Sequence, residues 1–220
     1  MTPPLSVVLP VRNAEAFIAR AIASCLSQSF AEFELLVVLN GCDDGTADIV
    51  SELAVGDSRV EVVESAAGEG VVGAMVRGVE LARAPLIARM DADDVSLPGR
   101  FEKQVRFLEE NPEVHVVSCR VELQNALGEG MKRYVDWVNG LDSPESVARE
   151  RFIECPVIQP SLMMRREVIE AAGGYRRLSW AEDHDLFLRM LARGVRMGKV
   201  PELLLQWQDH DGRLTRTHDD

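Results

Sequence analysis

Leu5-Ser6-Val7-Val8-Leu9-Pro10-Val11 is a short, almost unbroken apolar run, and it constrains the fold more than any other stretch. Continuous apolar character over seven residues suits a strand covered on both faces, as in a parallel sheet walled by helices. The pattern recurs at Leu35–Leu39, Val60–Val63 and Leu86–Met90. Segments of helical period separate these runs. Phe17, Ala21, Ile22, Cys25 and Leu26 share one helix face, as do Ile49, Val50 and Leu53. A third helix follows the loop Gly68-Glu69-Gly70 and ends near Arg83. Asn13 and Thr46 stand where helix caps are expected, before the first two helices. Strands alternating with helices predict an α/β fold: a mostly parallel, Rossmann-like sheet flanked by helices.

The later part is less regular. Ser96 would cap a helix carrying Phe101, Val105 and Leu108, which stops at Asn111-Pro112. Val114–Cys119 reads as a strand. Helices are expected from Arg165 to the Gly173-Gly174 stop and from Glu182 to Arg193, which Gly194 ends. The stretch Glu122–Pro156 has no clear assignment. No linker or repeat divides the chain, so one domain is expected, with residues 1–98 and 99–220 as two functional halves.

Ligands of open α/β sheets bind beyond the carboxyl ends of the strands. Three polar turns fall there: Pro10-Val11-Arg12-Asn13, Asn40-Gly41-Cys42-Asp43-Asp44-Gly45-Thr46 and Asp91-Ala92-Asp93-Asp94. Alternate residues of an extended segment point the same way, so Asp91 and Asp93 can address one ligand. Their oxygens suit Mg²⁺ or Mn²⁺. A bare D-x-D is more often a solvated acidic turn; delivery by an apolar strand to the expected crevice favours the metal reading. Asn40, Asp43 and Asp44 offer hydrogen bonds to a base or ribose, although such residues favour turns anyway. Glu182, Asp183 and Asp185 open a helix, where the dipole keeps a carboxylate ionised and able to accept a proton. Helix-start preference explains the same residues equally well. His210 could reach a phosphate or a metal, but an exposed histidine is the more ordinary reading.

The formal net charge is −12. That disfavours a nucleic-acid partner, and a polyanionic ligand would need local help from a metal or backbone amides. No apolar stretch is long enough for a transmembrane segment, and Met1–Pro4 lacks signal-peptide character. The four cysteines form no C-x-x-C pair and read as reduced thiols. The expected location is cytoplasmic, at most peripheral at the inner face of the membrane. A homodimer is compatible with the sequence.

Together these motifs resemble family-2 glycosyltransferases of the GT-A fold. Pro10-Val11-Arg12-Asn13 looks like the first nucleotide-binding turn of that family, and Asn40–Thr46 resembles its Asp-Gly-Ser-x-Asp-Gly-Thr turn. Arg89–Pro98 resembles a subgroup's metal segment, continued by Arg100 and Glu102-Lys103-Gln104. Gln159-Pro160-Ser161, Gly173-Gly174-Tyr175, Glu182–Leu186, Pro201-Glu202 and His210 follow in order. The resemblance implies an inverting transfer from a nucleotide-diphosphate sugar (UDP, GDP or dTDP) to a glycan or lipid-linked acceptor. It also implies site roles. Pro10, Arg12, Asn13 and Asn40 would hold the donor, and Asp91 its ribose or sugar side. Asp93, with His210, would hold the metal. Asp183 would be the general base, supported by Glu182. Leu39, Val76 and Gln159 depart from the family pattern at positions where an acid, an asparagine and a histidine are common. Those departures leave a non-catalytic sugar-nucleotide-binding protein as the alternative. A nucleotidyltransferase would want a basic, glycine-rich loop after the first strand, and Pro10–Ala14 has one arginine and no glycine.

Overall fold

The computed structural model describes residues 2–66, 68–178 and 181–212. Strands β1 (Leu5–Val11) and β2 (Phe33–Leu39) are buried along their whole length. β3 (Val60–Glu64) pairs with β2, and β4 (Leu86–Arg89) with β1, all in parallel. The crossovers are α1 (Ile18–Leu26), α2 (Thr46–Gly56) and α3 (Gly70–Leu81). Parallel strands joined by crossovers bring all their carboxyl ends to one sheet edge.

The remaining strands extend the same sheet. They are β5 (Val95–Ser96), β6 (Val116–Gln124), β7 (Met163–Arg165) and β8 (Met197–Gln208). The full order is β3-β2-β1-β4-β7-β6-β8-β5. β7 runs antiparallel to both β4 and β6, β8 is parallel to β6, and β5 is antiparallel to β8. Helices α4 (Arg100–Glu110), α5 (Glu129–Asn139), α6 (Pro144–Glu150), α7 (Arg166–Ala171) and α8 (Glu182–Ala192) complete the layers. Both sheet faces are buried. Val7, Leu9, Leu35 and Val37 join one core cluster, while Val8, Leu36 and Val38 join the other. The α/β class and the mostly parallel, Rossmann-like sheet agree with the sequence reading.

Local details differ from it. Asn13 does not cap α1, which begins at Ile18 after Phe17; its side chain is engaged across the sheet edge instead. Thr46 is the first residue of α2, and its hydroxyl accepts the Ala14 N–H at 2.8 Å. Gly45 is the N-cap, and Asp44 before it accepts the Thr46 N–H at 3.0 Å. Ser96 lies in β5, and α4 starts after Gly99, whose φ of 78° suits glycine. The unassigned stretch 122–156 contains α5, α6 and the end of β6.

Helix α3 lies very close to the sheet. A Cβ on Gly78 would sit 2.3 Å from Val8 Cγ1 and 3.3 Å from Val38 Cγ2, both buried in the sheet. Alanine normally favours a helix over glycine by about 1 kcal/mol, whereas overpacking a tight core costs about 1–3 kcal/mol. Gly78→Ala is therefore expected to lower the urea midpoint; a rise would show that α3 can move off the sheet.

Candidate functional site

The turns after β1 and β2 are buttoned together. Asn13 Nδ2 donates to Asp43 Oδ1 at 2.5 Å, and the Asp43 N–H donates to Asn13 Oδ1 at 3.0 Å. Asn13 has φ +50°, a left-handed conformation that asparagine adopts more readily than most residues. Alongside, Asp44 accepts the Glu15 N–H at 3.2 Å, and Glu15 Oε2 accepts the Gly45 N–H at 2.8 Å. These side chains spend much of their bonding capacity on one another. Pro10 and Asn40 are buried beside them, and Arg12 is exposed. The Asn40 N–H donates to the Val11 carbonyl at 2.9 Å, and its Oδ1 accepts the Ser65 hydroxyl at 3.4 Å.

Beyond β4 the backbone turns at Asp91–Asp94. Single carboxylate oxygens of Asp91, Asp93 and Asp94 lie within 4.8 Å of one another. Asp94 is buried, and its Oδ1 accepts the Gln208 N–H at 2.9 Å, which ties the turn to the end of β8. Asp93 Oδ2 is 2.9 Å from His210 Nε2, bringing together residues 117 apart in the chain. The His210 ring stacks on Phe17 at 5.1 Å between centroids, and Arg20 donates to the Asp93 carbonyl at 3.3 Å. An all-oxygen cluster fits a hard divalent cation. Asp91 and Asp93 are the half-buried members able to face a ligand. His210, at hydrogen-bond distance, is placed to orient Asp93 and stands close enough to join it as a ligand.

Arg89, the last residue of β4, links this turn to the start of α8. Its Nε donates to Asp91 Oδ1 at 3.1 Å, and only 5% of the residue is exposed. Burial disfavours its charge, but Asp91, Tyr175, Asp183 and Glu182 outweigh burial and hold its pKa above the ordinary arginine value. Burial likewise pushes the Tyr175 hydroxyl up to about 12. Asp183 and Glu182 are the first acids of α8, and Asp183 Oδ1 accepts the His184 N–H at 2.7 Å. Arg89 is thus held to Asp91 by a hydrogen bond and stabilised as a cation by the charges of Glu182 and Asp183 as well. Arg89 and Tyr175 were not singled out as site residues in the sequence. The available signal was an arginine closing an otherwise apolar strand. Trp180, next to this helix start, lies outside the described residues.

The Glu182 carboxyl is raised above its ordinary value, chiefly by burial and further by Asp183. A carboxyl whose folded pKa exceeds its unfolded pKa holds its proton more tightly in the folded state. Its contribution to stability therefore falls as pH rises through the interval between the two values. Glu182→Gln should remove that loss. Its urea midpoint relative to wild type should improve between pH 4 and pH 7, and a gap that narrows over that interval would contradict the assignment.

Comparison with known proteins gives three findings. Residues 6–173 match the family described as "Glycosyl transferase family 2". The chain is 31% identical over 215 residues to the O-antigen biosynthesis glycosyltransferase WbnJ of Escherichia coli, covering 94% of this chain and 80% of that protein. Two solved structures share the fold. The crystal structure of S. aureus TarS 1-349 in complex with UDP-GlcNAc has a TM-score of 0.70 at 17% identity, over 97% of this chain and 60% of that one. The mannosyltransferase PcManGT from Pyrobaculum calidifontis, in complex with GDP-Man and Mn2+, has a TM-score of 0.74 at 19% identity, over 94% and 57%.

Proposed function

The chain belongs to glycosyl transferase family 2, and from that premise we propose that it moves a sugar from a nucleotide-diphosphate sugar to an acceptor hydroxyl, with inversion at the anomeric carbon. The observation that carries this reading is that Arg89 is hydrogen-bonded to Asp91, in the turn that also holds Asp93, and is influenced by the charges of Glu182 and Asp183 at the start of α8. Two acidic groups with different tasks meet at the carboxyl edge of one sheet.

Pro10, Arg12, Asn13 and Asn40 line the nucleotide end of the crevice in this reading, and Asp91 faces the ribose or sugar. Asp93 would hold Mn²⁺ or Mg²⁺, with His210 beside it. A bound divalent cation neutralises the charge that builds on a departing diphosphate. Asp183, at the start of α8, accepts the proton of the acceptor hydroxyl. The freed oxygen forms its bond to the anomeric carbon as the bond to the diphosphate oxygen breaks, and that oxygen keeps the electron pair. Attack from the face opposite the leaving group inverts the centre. Glu182 supports Asp183, and Arg89 keeps the clustered carboxylates from repelling one another apart. Residues 1–98 supply the donor side and 99–220 most of the acceptor side.

Nucleotide-sugar partners of the fold relatives, UDP-GlcNAc and GDP-Man, make UDP and GDP the first donors to try, with dTDP the third. The similarity to an O-antigen glycosyltransferase directs the acceptor search to surface glycans and their lipid-linked precursors. No helix among the described residues is long and apolar enough to cross a membrane. In this reading a lipid-linked acceptor is met at a cytoplasmic membrane face. The test is a melting-temperature series with UDP, GDP and dTDP, each with and without Mn²⁺. At least one nucleotide should stabilise the protein more with Mn²⁺ present. No stabilisation by any of the three in either condition would overturn the reading.

A further inference from the structure

Two residues one helical turn apart on α4, Arg100 and Gln104, are fully buried and have no part in the chemistry above. Arg100 bonds to both flanks of the acidic turn and reaches the Leu162 carbonyl at 3.5 Å, and Gln104 ties Arg100 to Val117 and Ser161. Arg100 Nη2 donates to the Arg89 carbonyl at 2.9 Å, at the end of β4 just before the acidic turn. Its Nη1 reaches Ser96 Oγ at 3.5 Å, in β5 just after that turn, and the Met90 sulfur at 3.5 Å. Its Nε donates to Gln104 Oε1 at 3.1 Å. Gln104 in turn donates through Nε2 to the Ser161 carbonyl at 2.7 Å and the Val117 carbonyl at 3.3 Å. One guanidinium therefore grips both ends of the segment 90–95, and Gln104 fixes its orientation against the neighbouring strands.

Filling that space with an apolar side chain would cost the core less than burying a cation does. A guanidinium offers a rigid, planar fork of donors that no other side chain reproduces. We propose that Arg100, oriented by Gln104, is a positioning residue that holds the Asp91–Asp94 turn in the shape that binds a divalent cation together with a nucleoside diphosphate. This rests on the reading of that turn as the metal and donor site. Without the grip, the turn keeps its carboxylates and its ties to Gln208 and Arg20 but loses the single group that spans its two ends and sets their mutual arrangement.

The experiment compares wild type with Arg100→Met, Arg100→Lys and Gln104→Met. Mn²⁺ binding in the presence of UDP or GDP is followed by the loss of the free-ion paramagnetic signal, and folding by urea titration. Outer-shell partners of metal sites typically change affinity by about 10–100-fold. Cooperatively folded Arg100→Met should bind Mn²⁺ at least about tenfold more weakly in the presence of nucleotide, with Arg100→Lys intermediate at most. A purely structural role would lower the urea midpoint and leave the affinity of the folded protein unchanged. Folded variants with wild-type Mn²⁺–nucleotide affinity would therefore overturn the proposal. If Arg100→Met fails to fold, Gln104→Met decides on the same criterion, since it leaves the Arg100 donors in place and removes the acceptor that orients them, together with the Gln104 bonds to Ser161 and Val117. Absence of Mn²⁺–nucleotide binding in wild type would instead overturn the donor-site reading, and the inference with it.

Discussion

Asp93→Ala should lower kcat/KM for transfer by about 10³-fold, the scale on which removing a well-placed electrostatic contact to a developing anion acts. Asp93 is the half-buried acid of the turn that also contacts His210. Its loss removes an oxygen donor and strands that histidine. Asp91 and Asp94 cannot replace it. Asp91 is engaged by Arg89, and Asp94 is buried against the end of β8. The melting-temperature gain from nucleotide plus Mn²⁺ should vanish together with activity. Metal-dependent transfer within about tenfold of wild type, against that 10³ scale, would remove Asp93 from the metal site.

Asp183→Asn should behave differently. The amide has the shape of the carboxylate but cannot take a proton, so kcat should fall by about 10²–10⁴-fold. Donor affinity should stay close to wild type, because the change leaves the turns after β1, β2 and β4 untouched. Comparing kcat with acceptor against the dissociation constant for donor separates the two roles. If donor affinity falls as far as kcat, Asp183 holds the donor and the base lies elsewhere. Glu182→Gln is the control. It removes the neighbouring acid and leaves Asp183 as proton acceptor, so its effect on kcat should be much the smaller.

The first half of the chain is legible in the sequence because buried parallel strands must be continuously apolar. β1, β2 and β4 announce themselves, and their polar termini follow from them. The same rule could not find β5, with two residues, or β7, with three, since runs that short carry no period. β8 went unread because Pro201 and Glu202 interrupt its apolar pattern with exposed positions. Side-chain partnerships across the edge were also out of reach. Asn13 and Asp43 are 30 residues apart, and each alone looks like ordinary cap or turn chemistry. Arg89 sits directly before a motif whose conspicuous residues are its aspartates. Its task becomes visible only when the fold sets Tyr175 and the start of α8 around it. The split of labour between Asp93 and buried Asp94 likewise depends on β8 arriving alongside.

That late arrival of β8 bears on how the chain folds. The contact between His210 and Asp93, and the one between Gln208 and Asp94, close loops of more than a hundred residues. Contacts of such sequence separation form slowly, because the entropy of closure must be met before they give anything back. The parallel unit around β1, β2 and α1 is built from much nearer neighbours and can form well before. In a refolding experiment, helical circular dichroism should return ahead of the ability to quench free Mn²⁺ in the presence of nucleotide. The acidic turn then serves as a built-in clock hand for the final stage of folding.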